Sequence, residues 1–434
     1  MKRPQILYDL MSRVSAVGRS LPSSKIRGNP SLGDLCAELL SRRGEASGLA
    51  LAEEIFRRYE DLDADGRRVF FGELRSRFAM DEVAVEKAIT KWRDTGDLDD
   101  AREIHFASEP MTQELIRRLN RTSKGTRRLI AMREHLIGEL KDDPRLKRLD
   151  DDFRHLFKSW FNRGFLEIER IDWNTPADVL EKVIQYEAVH EINGWSDLRR
   201  RVAVPDRRLY AFFHPSLGNE PLIFVEVALL DEIPRAVSPI LAEERDQLDP
   251  RSATTAVFYS ISNCQAGLRG VSFGNFLIKQ VVEELRREFT TLETFVTLSP
   301  VPGLRRWASS SDTLTETQHA ARDLLEQAVG SEGPGDSAEV RDALATLAAQ
   351  YLVEARSPRG GVLDPVARFH LGNGARLERI NVGADLSERG SENSWGAMVN
   401  YLYDLRQIEV NHETFANDGK VVCSPEVHRL VAAG

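Results

Sequence analysis

A strand-like run, TTAVFYSISNC (residues 254–264), leads into a glycine-bearing turn at residues 267–274, and the amphipathic run NFLIKQVVEELRREF follows at once. Such a turn lays backbone N–H groups at the positive end of a helix dipole, where a pyrophosphate can sit. Glycine lets the backbone approach a phosphate with no Cβ in the way. The candidate contacts are Arg269, Gly270, Val271, Ser272, Phe273, Gly274 and Asn275, with the Arg269 guanidinium as the cation. The spacing is neither the dinucleotide fingerprint nor the P-loop, because no GK[ST] is present and no acidic residue closes a following strand. Arg305 and Arg306 follow the LSPVPG turn and offer charge to a phosphate or to solvent. His214-Pro215 reads as a turn, and His190 with Glu191 as a helix end or core pair. Cys264 has no histidine near it in sequence and reads as a small core residue rather than a nucleophile.

The elements that must position these residues fall into two textures. From about residue 32 to 170, segments such as LALAEEIFRRYEDL and DEVAVEKAITKWRD space apolar residues three and four apart, which predicts a bundle of about seven or eight helices. Asp81 is the expected N-cap of one of them. Beyond Asp172, LYAFFHP, PLIFVEVALL, TTAVFYSISNC and ETFVTLSP are short, β-branched and aromatic. The order strand, turn, helix, strand around the glycine turn is βαβ-like. The expectation is an α+β chain of two domains. Residues 1–172 form an all-α assembly and support domain, and residues 173–434 an α/β domain with a helical insertion at about 303–358.

With 434 residues, the chain has room for two or three domains of about 150 residues. At 41% hydrophobic and 29% charged it is neither disordered nor collagen-like. The 59 Lys+Arg against 68 Asp+Glu leave a net charge of −9, without the basic excess that nucleic-acid binding draws on. Cys36, Cys264 and Cys423 stand far apart, with no zinc-ligand or CxxC spacing, so no metal site is expected and reduced thiols fit a cytoplasmic protein. No apolar run is long enough to span a membrane, and the basic start MKRPQILYDLMSRVSAVGRS lacks the apolar core of a secretory signal.

The turn resembles the acyl-CoA loop of the GNAT acetyltransferase superfamily, Arg/Gln-x-x-Gly-x-Gly/Ala. Arg269 takes the first position and Gly274 the last, while Ser272 replaces the central glycine. A wider resemblance surrounds it. EAVHEINGWSDLRRRV (187–202), YAFFHPSLGNEPLIFVEVAL (210–229), LSPVPG (298–303), ARFHLGNGARLERIN (367–381) and MVNYLY (398–403) resemble the malonyl-CoA decarboxylase family over roughly residues 185–412. That resemblance implies a helical N-terminal domain, a GNAT-like catalytic domain and homo-oligomers, often tetramers. It implies conversion of malonyl-CoA to acetyl-CoA and CO2 with no metal or prosthetic group, CoA being part of the substrate. The catalytic residues it implies are Ser299 of Leu-Ser-Pro, His370 of Phe-His-Leu-x-Asn-Gly and Tyr403 at the end of Asn-Tyr-x-Tyr. Asn373, in the histidine's motif, joins the substrate-binding residues and with Gly374 implies a tight turn. Some members carry glutamate where this chain has Ser272.

Loss of CO2 leaves an enolate whose charge collects on the thioester oxygen. Donors must meet that oxygen, and an acid must protonate the α-carbon. The expected division has Ser299 orienting the carboxylate and His370 polarising the thioester or supplying the proton, or the reverse. The ordinary imidazole pKa of about 6.5 makes both protonation states accessible near neutrality. Two other readings stand beside this one, an acyl-CoA-dependent N-acyltransferase and a non-catalytic CoA-binding scaffold. Release of CO2 without any acceptor separates them.

Overall fold

The computed structural model describes residues 30–41, 44–271, 277–310, 314–328 and 337–433. They divide into two compact units. One takes the described residues of Met1–Leu166, His214–Gly218 and Gln265–Phe273, and the other those of Glu167–Phe213, Asn219–Cys264 and Gly274–Gly434.

The first unit is helical. Its helices are α1 (Leu32–Ser41), α2 (Glu45–Glu60), α3 (Ala64–Arg77), α4 (Glu82–Thr95), α5 (Leu98–Ala107), α6 (Met111–Leu119), α7 (Gly125–Glu139) and α8 (Lys147–Trp160). Asp63 and Asp81 cap α3 and α4 by accepting from Gly66 N–H and Ala84 N–H, so the capping expected of Asp81 is present. The apolar stripes bury Phe56, Tyr59, Phe70, Phe71, Phe153, Phe157 and Phe161, with Tyr59 against Phe70 and Phe71, and Phe157 against Phe153 and Phe161.

The second unit is built on an eight-stranded mixed sheet, as expected of an α+β chain. The strands are β1 (Glu167–Ile171), β2 (Arg207–Phe213), β3 (Pro221–Leu230), β4 (Thr255–Asn263), β5 (Thr294–Thr297), β6 (Ser299–Pro300), β7 (Arg376–Asn381) and β8 (Met398–Leu402). The order is β1-β2-β3-β4-β5-β8-β6, with β7 also paired to β8. Among the strands of the described residues only β4 and β5 run parallel, and a parallel pair needs a crossover, here the helix α12 (Leu277–Glu288). The ladder between them ends at Phe258 opposite Thr297, while β4 runs on to Asn263. At that point β4 is bulged: Glu226 faces Ser260 and Val227 faces Phe258, so Tyr259 is the extra residue. Its hydroxyl donates to the buried Glu226 at 2.5 Å.

Helices α9 (Ala177–Tyr186) and α10 (Trp195–Val202) pack Val179, Leu180, Val183 and Leu198 against Leu209, Ala211 and Phe224 of the sheet. After α11 (Ser238–Leu241) and the crossover helix come α13 (Leu304–Ser310), α14 (Glu316–Ala328), α15 (Ala338–Val353), α16 (Pro365–Gly372), α17 (Glu388–Ser394), α18 (Ile408–Asp418) and α19 (Pro425–Ala432). Among the described residues, no helix is long and apolar enough to cross a membrane.

Candidate active site

Side chains alternate along an extended chain, so Thr297 and Ser299 share one face of the β5–β6 segment. Leu298 between them enters the core beside Val257, Val296 and Met398. The Ser299 hydroxyl donates to Thr297 Oγ1 at 2.9 Å.

His370 comes from α16. The buried Asp364 caps this helix, accepting from Val366 N–H at 2.9 Å and Ala367 N–H at 2.8 Å, and Pro365 fills its first position. Tyr351 donates to the second carboxylate oxygen of Asp364 at 3.3 Å. At the other end, Asn373 Nδ2–H closes on Phe369 O at 2.6 Å, and Gly374 turns the chain with φ +84°. A Cβ at Gly374 would stand 2.0 Å from Ile408 O, so no other residue fits without moving α18. Gly374→Ala is therefore expected to cost more than about 2 kcal/mol. Thermal unfolding checks this, and an unchanged midpoint would show that the turn yields freely.

These elements bring Ser299, His370 and Tyr403 together. His370 Nε2 lies 3.1 Å from Ser299 Oγ, and Nδ1 lies 2.8 Å from the Tyr403 hydroxyl. The imidazole stacks on the Tyr401 ring, with centroids 4.6 Å apart and planes at 22°. Ser299, His370 and Tyr403 are buried. Among the described residues no carboxylate touches the imidazole, and burial alone pushes His370 down to about 3. The ligand-free imidazole is thus neutral at pH 7, which corrects the expectation of two accessible forms. Burial likewise raises the Tyr403 phenol well above its ordinary range, so it keeps its proton.

A second buried chain reaches the same strand. Asn381 Nδ2–H donates to Asn400 Oδ1 at 2.8 Å, and Asn400 Nδ2–H donates to Thr297 O at 2.8 Å. The Tyr401 N–H donates to Thr297 Oγ1 at 3.2 Å. Sequence reasoning missed Thr297, Tyr401 and Asn381. The two-residue spacing of Thr297 and Ser299 in a strand was the available signal.

The glycine turn belongs to the helical unit. The N–H groups of Leu268, Arg269 and Val271 bond within the turn, to Gln265 O, Ala266 O and Leu268 O. Among the described residues this leaves the Gly270 N–H and the exposed Arg269 side chain for a ligand. Ser272, Phe273, Gly274 and Asn275 lie outside the described residues. A Cβ at Gly267 would stand 2.0 Å from Ile130 O, so this glycine serves close packing on α7.

The remaining candidates have structural partners. Arg305 pairs with Glu326 through two hydrogen bonds of 2.9 and 2.6 Å. His214 accepts from Ser216 N–H and meets Trp160 O, as a turn residue does. Cys264 is a core residue, with its thiol pKa raised by burial. Asn373 is spanned by its own helix end, yet its Oδ1 is buried with no partner among the described residues.

Residues 164–434 match the family model of the malonyl-CoA decarboxylase C-terminal domain, and residues 78–161 that of the N-terminal domain. "Malonyl-CoA decarboxylase, mitochondrial" of Anser anser anser is 34% identical over 418 residues, covering 87% of this chain and 82% of that protein. The crystal structure of malonyl-CoA decarboxylase from Rhodopseudomonas palustris superposes with a TM-score of 0.87 at 48% identity, covering 92% of this chain and 100% of that one. The Agrobacterium vitis enzyme gives 0.85 at 51% identity, over 92% and 99%. By sequence over both domains and by fold, the chain belongs to the malonyl-CoA decarboxylase family.

Proposed function

We propose that this chain decarboxylates malonyl-CoA to acetyl-CoA and CO2, with Ser299 and His370 as the reacting pair and Tyr403 behind the imidazole. The observation that carries this reading is the buried Ser299–His370 contact of 3.1 Å with a phenol, not a carboxylate, on the far nitrogen. A nucleophilic serine needs a base whose cation is then stabilised, commonly by an aspartate. Among the described residues this imidazole has no such anion, and the pair is arranged for hydrogen-bond donation, as decarboxylation requires.

The bond between the α-carbon and the carboxylate carbon breaks, and its electron pair moves onto the thioester oxygen. Each donor aimed at that charge contributes about 3–4 kcal/mol. The thioester is the electron sink, so the proposed reaction draws on no cofactor beyond the CoA of the substrate. In this reading Ser299 orients the departing carboxylate. The substrate's negative charge favours the imidazolium, so His370 gains a proton on binding and passes it to the α-carbon. Solvent returns one proton per turnover.

For CoA we propose Arg269, Gly270 and Val271, together with Ser272, Phe273, Gly274 and Asn275. The exposed guanidinium and the unengaged Gly270 N–H support this. The unpartnered Asn373 Oδ1 supports a place for Asn373 near the acyl group. We also propose a homo-oligomer, up to a tetramer. The exposed Val83, Leu98 and Phe106 on α4 and α5 support it. Three free cysteines support a reducing, cytoplasmic setting.

The test is purified protein with malonyl-CoA alone. Equal release of acetyl-CoA and CO2 is expected, and Ser299→Ala should lower kcat by about 10²–10³-fold. Bound but intact malonyl-CoA would overturn the reaction. Full turnover by Ser299→Ala would overturn the site.

A further inference from the structure

We propose that Thr297 is a positioning residue for this reaction: its buried hydroxyl takes the Ser299 proton, and so holds His370 in the tautomer with hydrogen on Nε2. The inference rests on the reading of Ser299 and His370 given above. Its first test needs no turnover.

A hydroxyl has one proton and two acceptor positions. Thr297 is fully buried, and its Oγ1 accepts from the Tyr401 N–H at 3.2 Å and from Ser299 Oγ at 2.9 Å. Both acceptor positions are then filled. With its proton given to Thr297, Ser299 meets His370 Nε2 at 3.1 Å only as an acceptor, so Nε2 carries the hydrogen. A neutral imidazole has a single N–H, which leaves Nδ1 as a lone pair for the Tyr403 hydroxyl at 2.8 Å. The chain therefore runs one way, Tyr403 to His370 to Ser299 to Thr297.

The end of that chain cannot swing. Asn400 Nδ2–H holds Thr297 O at 2.8 Å, and Asn381 holds Asn400 at 2.8 Å. Both asparagines are buried. The consequence is chemical. His370 cannot take the Ser299 proton while its Nε2 already bears one, so the serine stays a hydroxyl. A substrate oxygen arriving here meets the Nε2–H and, once Ser299 turns from Thr297, a second donor.

The experiment compares wild type, Thr297→Val and Thr297→Ser. Valine keeps the shape and removes the hydroxyl, and serine keeps the hydroxyl. Ligand-free protein labelled with 15N-histidine is read by long-range 1H–15N correlation, with His370→Asn identifying the signal. Wild type and Thr297→Ser should show hydrogen on Nε2, and Thr297→Val should move it to Nδ1. With malonyl-CoA, Thr297→Val should lower kcat about 10–100-fold with KM within about threefold, and Thr297→Ser should stay within about threefold of wild type. Hydrogen on Nδ1 in the wild type overturns the proposal, whether or not Thr297→Val folds. So does a Thr297→Val enzyme that loses activity with the tautomer unmoved, because packing alone would then explain the loss. A tautomer that shifts as stated, in a protein that never releases CO2, would fail the decarboxylase reading and uphold the order of the hydrogen bonds.

Discussion

His370→Asn is expected to lower kcat for malonyl-CoA by about 10²–10⁴-fold while leaving malonyl-CoA binding within a few-fold. Asparagine keeps a donor but cannot span Ser299 Oγ and the Tyr403 hydroxyl, which stand 3.1 and 2.8 Å from opposite ring nitrogens. It also has no site for the proton that the α-carbon must receive. The residues proposed for CoA, Arg269 to Asn275, are left alone by the substitution. Stopped assays of acetyl-CoA and CO2, beside calorimetric binding, separate the two effects. The pH dependence follows from burial. With His370 pushed down to about 3, kcat/KM, which reports the free enzyme, should show no inflection from this group between pH 5 and 8. An inflection near 6.5 that disappears in His370→Asn would show that the imidazole titrates normally. Stability carries the same signature. Between about 6.5 and 3 the unfolded histidine binds a proton that the folded one does not. Its contribution is therefore complete above about 6.5 and is lost as pH falls towards 3. His370→Asn should flatten that part of the acid unfolding curve.

Periodicity was enough to read the helical half, because α2 and α8 each bury one stripe, and Asp81 announced its own cap. The βαβ unit was legible for a related reason: a parallel pair leaves two β-rich runs flanking one amphipathic helix. Order beyond neighbours was not legible. Nothing local to MVNYLY says that β8 crosses to lie beside both β5 and β7, and that crossing is what sets Tyr403 on Nδ1 of His370 and Asn400 on Thr297. The site residues themselves came from resemblance. Ser299 before a proline and a histidine in a short helix are ordinary until the sheet brings them within 3.1 Å. The partners of a buried charge were not legible either. Arg133 stands four after Leu129, three after Ile130 and three before Leu136, on the apolar stripe of GTRRLIAMREHL, and it is almost fully buried. Its partners, Asp150 and the glycine turn, are 17 and more than 130 residues away.

Arg133→Met is expected to destabilise the helical unit by about 3–5 kcal/mol, because it breaks a buried pair from one side. One guanidinium serves three acceptors: Asp150 Oδ1 at 2.8 Å, Gly267 O at 2.6 Å and Arg269 O at 2.9 Å. The planar fork of arginine suits that task, and a lysine ammonium would reach fewer of the three. Methionine fills the space but strips both turn carbonyls of their donor. Among the described residues Asp150 would keep only Lys147, at 3.0 Å. The midpoint of thermal unfolding should fall by an amount on the order of 10 °C. Arg133→Met with Asp150→Leu should recover part of that loss, since the stranded carboxylate goes too, and a double variant no better than the single one would place the cost in the two carbonyls. Kinetics then ask what the turn is for. Arg133 holds the backbone on either side of Leu268, and Arg154 reaches Gly270 O at 3.3 Å, so both arginines brace the segment proposed to meet CoA. At a temperature where the variant remains folded, KM for malonyl-CoA should rise about tenfold with kcat near wild type, the pattern of lost uniform binding. A fall in stability with KM unmoved would keep the ion pair as a structural brace and remove the glycine turn from the CoA site.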